Sequence, residues 1–182
     1  MSELTVASRY AKSLIDLAAE QGVVEQAKAD MDFFLKTLKQ NPQLTAVLGN
    51  PIISQSKKVA ILKEVFADKV HQLTIGFFTL MITKGRGEII LGTANEYINQ
   101  YNIQHNIVKA TVVSATPLSA ANKQKLVTDV QAATGSQVLL TEKVDPALIG
   151  GFVLTVGDRQ VDTSLANDLK KLKKEFAQRV IQ

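Results

Sequence analysis

The chain has 182 residues, 46% of them apolar and 21% charged, with a formal net charge of +4. Such a composition describes one globular domain or two small ones with room for a core, not a disordered tail. The absence of cysteine excludes a disulfide scaffold, a thiolate metal site and a cysteine nucleophile, and only His71 and His105 remain for imidazole chemistry.

Residues 2–105 read as almost wholly helical. A first helix over about 4–21 ends at Gly22, and a second over about 24–40 carries Ala27, Met31, Phe34, Leu35 and Leu38 at helical spacing. A short third turn covers about 43–48. A fourth helix runs from a cap at Ser54 or Ser56 to Phe66, with Lys57, Lys58 and Lys63 expected in solvent. The fifth, about 70–84, is apolar on most sides and is broken by Gly85-Arg86-Gly87. A sixth covers about 88–104, with Tyr97, Ile98 and Tyr101 on its apolar side.

After Asn106 the period changes. Residues 107–115 are rich in β-branched side chains and read as a strand, followed by a helix capped by Ser119 and closed by Gly135. Residues 137–144 alternate, as do Phe152, Leu154 and Val156, and Gly157-Asp158 signals a hairpin into Val161. A last helix from Ser164 carries Leu165, Leu169, Leu172 and Phe176. The predicted fold is therefore mostly α: an N-terminal six-helix bundle over 1–105, then a small β-α-β-β-α domain of α/β type over 106–182.

Two helices are broader in their apolar surface than one packing layer needs. In the first, Leu4, Ala7, Ala11, Leu14, Ile15 and Ala18 form one stripe and Val6, Tyr10 and Leu17 a second, rotated by roughly 100°. Burial within a bundle accounts for such breadth. The alternative is that helices one and five flank a groove for an amphipathic partner helix. The last fifteen residues supply a net +3, with Lys170, Lys171, Lys173 and Lys174 away from the leucine stripe. That pattern fits the solvated face of a core helix or a surface steering an acidic partner. Nucleic-acid binding calls for aromatics among the basic residues, and this stretch has only Phe176.

Chemistry has few candidates. Gly150-Gly151 and Gly157 match neither a P-loop nor a dinucleotide turn and bracket a strand, so they read as a bulge and a hairpin turn. Asp158 and Asp162 lack a third ligand, and Asp162 reads as a residue leading into the last helix. No serine sits in a nucleophile elbow. The composition leans away from most enzymes, no catalytic residues are visible, and no metal or cofactor is expected. The start lacks the basic and apolar regions of a secretory signal, and the longest apolar run, Leu73 to Ile82, is half the ~20 residues that cross a bilayer. The chain reads as cytoplasmic, reaching a membrane only through a partner.

Three segments carry a resemblance over essentially the whole chain. They are Ser8-Arg9-Tyr10-Ala11-Lys12-Ser13-Leu14, the Lys84-Gly85-Arg86 break, and the run Val144 to Phe152 followed by Gly157-Asp158 and Val161-Asp162-Thr163-Ser164. Together they resemble the delta subunit of bacterial and plastid F-type ATP synthases, equivalent to the mitochondrial oligomycin-sensitivity-conferring subunit. Thr163 stands where glycine is common in that family, and Ala166 where a basic residue is frequent. The resemblance implies a non-catalytic stator subunit on top of the catalytic head, at the cytoplasmic face of a bacterial plasma membrane or at a plastid thylakoid. It implies that the N-terminal domain receives the N-terminal helix of an alpha subunit, with Tyr10, Leu14, Phe78 and Leu80 placed near that groove. It implies that the C-terminal domain engages the end of the b stalk, with Gly151, Phe152, Leu169, Leu172 and Phe176 as candidates. The competing reading is a basic RNA-binding adaptor using the last helix.

Overall fold

The computed structural model describes residues 3–179, with side chains described as far as Lys173. The chain divides into two compact units between Gln104 and His105. The first unit is built from α1 (Glu3–Glu20), α2 (Val24–Gln40), α3 (Pro42–Gly49), α4 (Gln55–Phe66), α5 (Gln72–Thr83) and α6 (Ile90–Gln104). The sixth helix is expected from Glu88, but its entry is a single 3₁₀ turn over Gly87–Ile89. Tighter turns of this kind are common where a helix starts.

Small residues set the closest packing. Ala7, Ala11 and Ala18 of α1 are fully buried, as is Ala94 of α6. A Cβ added at Gly92 would stand 3.6 Å from that of Ala7, so the two helices meet with little side chain between them. Gln100 locks the pair, donating from Nε2 to Ser8 O at 3.0 Å and to Ser8 Oγ at 2.9 Å. Deeper in the unit the rings pack against one another: Phe34 lies 4.4 Å from Phe78 and 5.1 Å from Phe66, centroid to centroid. Two tyrosines tie α6 to the start of α2. The Tyr101 hydroxyl donates to Glu25 Oε1 at 2.6 Å and that of Tyr97 to Val24 O at 3.3 Å. The hydrogen bond to Glu25 pushes the Tyr101 phenol up to about 12, and burial above all does the same for Tyr97.

Lys58 departs from the expected solvent face of α4. It is buried, and its Nζ donates to Leu48 O at 2.8 Å. The reason is local: α3 ends there, leaving a carbonyl that a cation satisfies well.

The second unit contains β1 (Ile107–Ser114), α7 (Ala120–Thr134), β2 (Gln137–Val144), β3 (Phe152–Val156), β4 (Arg159–Asp162) and α8 (Leu165–Arg179). The sheet order is β2-β1-β3-β4, parallel between β1 and β2 and antiparallel elsewhere. The register places Ala110, Val112, Leu140, Leu154, Val156 and Val161 on one face. Ser119 caps α7, its side chain accepting from Asn122 N. A mostly helical chain with a small four-stranded sheet in its C-terminal part is the architecture expected from the periodicity.

Glu142 stitches β2 to the start of α7. Its carboxylate pairs with Lys123 Nζ at 2.6 Å and accepts from Leu118 N at 2.7 Å. The hydrogen bond from Lys123, and after it that from Leu118, holds the carboxyl below its ordinary value of 4.5. A folded-state value below the unfolded one gives stability that is present above the unfolded value and lost as pH falls through the folded one. The second unit is therefore expected to weaken in acid below the ordinary carboxylate range, and Glu142→Gln to flatten part of that dependence. Urea melts across acidic pH, followed through amide signals of β2, check this; parallel pH profiles for variant and parent would refute it.

Candidate partner-binding surfaces

Between α1 and α5 lies an open groove of about 430 Å³. One wall is Leu17 of α1 with Gln21 just past its end, the other Leu73, Gly76, Phe77 and Leu80 of α5, and His71 and Gln72 stand at one end. Leu17 and Leu80 are 40% and 50% exposed, more than leucines of a finished core. The groove thus forms where the second stripe of α1 meets the outer side of α5.

The four residues proposed from sequence near this groove separate by depth. Leu80 lines it. Tyr10 is half-buried beside it, its ring edge-on to Phe77 with centroids 6.1 Å apart. Leu14 and Phe78 lie beneath, 0% and 1% exposed, in the core that supports the walls. Leu4, placed in the buried stripe by its spacing, is 71% exposed near the start of α1.

Sequence reasoning overlooked what fixes the end of the groove. Asp30 of α2 is buried, and its Oδ2 accepts from His71 N at 2.8 Å and Thr74 Oγ1 at 2.7 Å. A carboxylate at a helix N-terminus satisfies donors that the helix itself cannot, and the dipole favours it there. His71 adds a second cap, with Nδ1 accepting from Leu73 N at 3.3 Å. The signal was legible: Asp30 interrupts the apolar stripe formed by Ala27, Met31 and Phe34. Asp30→Ala is expected to cost about 1–3 kcal/mol by leaving the Thr74 hydroxyl buried without its acceptor. Hydrogen exchange at the first turn of α5 should rise with it; an unchanged first turn would remove the capping role.

In the second unit the apolar row of α8 faces solvent. Leu165, Leu169 and Leu172 are 51%, 56% and 47% exposed, so within the described residues the row is not the inward face of a core helix. Lys170 and Lys171 are exposed as well, with Lys171 Nζ 3.3 Å from Asp168 Oδ1. The side chain of Phe176, proposed as part of this row, lies outside the described residues. Phe152 is half-buried on the sheet, and its carbonyl accepts from Thr163 N at 3.0 Å and Thr163 Oγ1 at 2.9 Å. Thr163, the departure from the common glycine, thus serves as a clasp on β3. Asp162 completes the entry to α8, its Oδ1 accepting from Ser164 Oγ at 2.7 Å and Ser164 N at 2.9 Å. Those bonds, the hydroxyl first, hold its carboxyl below the usual value.

Gly151 is a backbone fixture. Its φ is +75°, and a Cβ there would collide with the Thr163 carbonyl oxygen. A second apolar hollow of about 280 Å³ lies where Leu126, Val130 and Ala133 of α7 face Leu154, Val156 and Val161. It was not anticipated, because no single element carries it. Among the described residues no group of three or more histidines and carboxylates is arranged to hold a metal ion, and no helix is long and apolar enough to cross a membrane.

Comparison with known proteins gives one consistent result. The family described as ATP synthase delta (OSCP) subunit matches residues 6–176. ATP synthase subunit delta of Cytophaga hutchinsonii is 39% identical over 181 residues, covering 100% of this chain and 99% of that one. The Flavobacterium johnsoniae subunit is 35% identical, with 97% and 99% covered. A chain in the cryo-EM structure of the Toxoplasma gondii mitochondrial ATP synthase hexamer has the same fold, with a TM-score of 0.73 at 19% identity over 94% of this chain and 97% of that one. A match of that extent, joined to a helical bundle followed by a four-stranded sheet, makes this chain a member of the ATP synthase delta (OSCP) subunit family.

Proposed function

We propose that the chain is a peripheral-stalk, or stator, subunit of an F-type ATP synthase. In this role it links the catalytic head to the b stalk, so that rotor torque is coupled to proton transport and ATP synthesis. The observation that carries the reading is the family match across residues 6–176. The subunit is non-catalytic in this reading and meets the membrane only through the complex, at the cytoplasmic face in a bacterium.

The finer assignment gives each unit one attachment. The α1/α5 groove receives the N-terminal helix of an alpha subunit, through Leu17, Phe77 and Leu80 with Tyr10 behind Phe77. The b stalk end engages the second unit at the exposed leucine row of α8. Support comes from the neutral apolar lining of the first surface and the solvent-facing leucines of the second. A tether under load needs slow dissociation, which apolar burial provides, and two attachments on one chain add avidity. The RNA-adaptor reading draws no support from the family matches.

Titration calorimetry of the full chain with a synthetic alpha N-terminal helix tests the first attachment. Leu80→Asp is expected to weaken binding about tenfold or more, while costing only about 1–2 kcal/mol of stability, from lost half-burial and an acidic side chain in the last turn of α5. Absence of binding to both that peptide and assembled heads would sink the reading. ATP-driven proton pumping, reconstituted with and without the chain, should be coupled only with it.

A further inference from the structure

We infer that Gly76 is the specificity-determining position of the α1/α5 groove: its missing side chain leaves a hole that one bulky apolar residue of the partner helix fills. The inference rests on the stator reading for the identity of the partner, the alpha N-terminal helix. Gly76 lies inside α5, where glycine is the poorest helix former after proline. At most other glycines of this chain a reason is visible, Gly49 at the end of α3 being as open as Gly76. A Cβ at Gly151 would strike backbone, and one at Gly87 would lie 2.8 Å from Leu48 O. At Gly76 neither reason applies: its φ is not positive, and an added Cβ would meet nothing within 4 Å. The fold therefore accepts a less stable helix at a position where it does not require glycine. That position is in the wall of the groove.

The surroundings state what would fit. Leu73 and Leu80 lie one turn to either side of Gly76 on α5, and Leu17 stands on the facing wall. No Asp, Glu, Lys or Arg lines the groove; its polar groups are Gln21, Gln72 and His71. From His71 to Leu80 the lining runs about 13–14 Å at 1.5 Å per residue, enough for anchors at i, i+3 or i+4, and i+7 of one helix. The middle anchor sits over Gly76. It is a leucine, isoleucine, methionine or phenylalanine, carried on an uncharged helix face.

The test uses the full chain and the alpha N-terminal helix peptide, with binding and thermal stability measured on the same variants. Gly76→Leu fills the hole from the protein side and is expected to weaken binding about 30-fold or more, the loss typical of a hot-spot contact. Gly76→Ala is expected to raise the melting temperature of the first unit by about 4–8 °C, yet to weaken binding. These opposite signs are what a merely structural glycine would not give, and they hold the test together if Gly76→Leu folds poorly. Trimming the central peptide anchor to alanine should cost affinity for the parent chain and little further for Gly76→Leu, a coupling read from the double-mutant cycle. If Leu80→Asp weakens binding and the Gly76 variants do not, the inference is overturned and the stator reading stands. Should Gly76→Ala lower the melting temperature, the inference is overturned as well. If the parent chain binds neither peptide nor assembled heads, both fall together.

Discussion

Replacing Phe78 with alanine is expected to remove about 3–5 kcal/mol of stability from the first unit, the range for deleting a fully buried phenylalanine. The ring is 1% exposed and lies 4.4 Å from Phe34 and 6.2 Å from Phe77, centroid to centroid. Removing it takes away apolar transfer energy and leaves a void between α2 and α5 that the packed rings can close only in part. Urea unfolding followed through amide signals of the first unit measures the effect unit by unit, which matters because two compact units need not unfold as one. Binding of the alpha peptide should fall only as the folded fraction falls. A loss below about 1 kcal/mol would mean that the ring is not packed as described. The contrast with Leu80→Asp is the useful part. Two residues two positions apart on one helix, both drawn to the groove by the sequence, separate into support and surface.

Gly151→Ala carries the second large effect, expected to cost at least about 2 kcal/mol in the second unit. Two costs add. An L-residue at φ +75° is strained, and its Cβ is aimed at the Thr163 carbonyl oxygen and the Ser164 backbone. Gly135→Ala separates them, because φ is +66° there and an added Cβ meets nothing within 4 Å. The excess of the first variant over the second reports the collision alone. Hydrogen exchange should rise at Phe152, Val153 and Ser164, where β3 and the start of α8 are held together. Equal costs for the two variants would remove the close approach from the account.

These variants show how far the sequence could be read. Periodicity located the helices and strands because each rests on local patterns: the stripe in α2, the alternation in β2, the Gly157 turn. It also exposed the second stripe of α1, and Leu17 and Tyr10 prove incompletely buried. Depth was not legible. A helix as uniformly apolar as α5 has no strong amphipathic direction, so its pattern cannot tell Phe78 inside from Leu80 outside. The Asp30 cap joins residues 41 positions apart, His71 and Asp30, and no window of local sequence contains it. The row Leu165, Leu169, Leu172 reads alike whether a core or a partner covers it. Only the fold shows it exposed among the described residues. Gly151 was noticed for its motif, but its physical role depends on the distant carbonyl of Thr163.

The strand order has a mechanical meaning for a part that works under torque. β1 follows α6 after two residues and is hydrogen-bonded on both sides, to β2 and to β3. β4 points the same way as β1, because each is antiparallel to β3. If α8 carries the stalk attachment as proposed, tension entering at Ile107 and leaving past Asp162 would pull opposite ends of co-directional strands. The ladders would then be loaded in shear along their length, many hydrogen bonds at a time, instead of being peeled open singly like a zip.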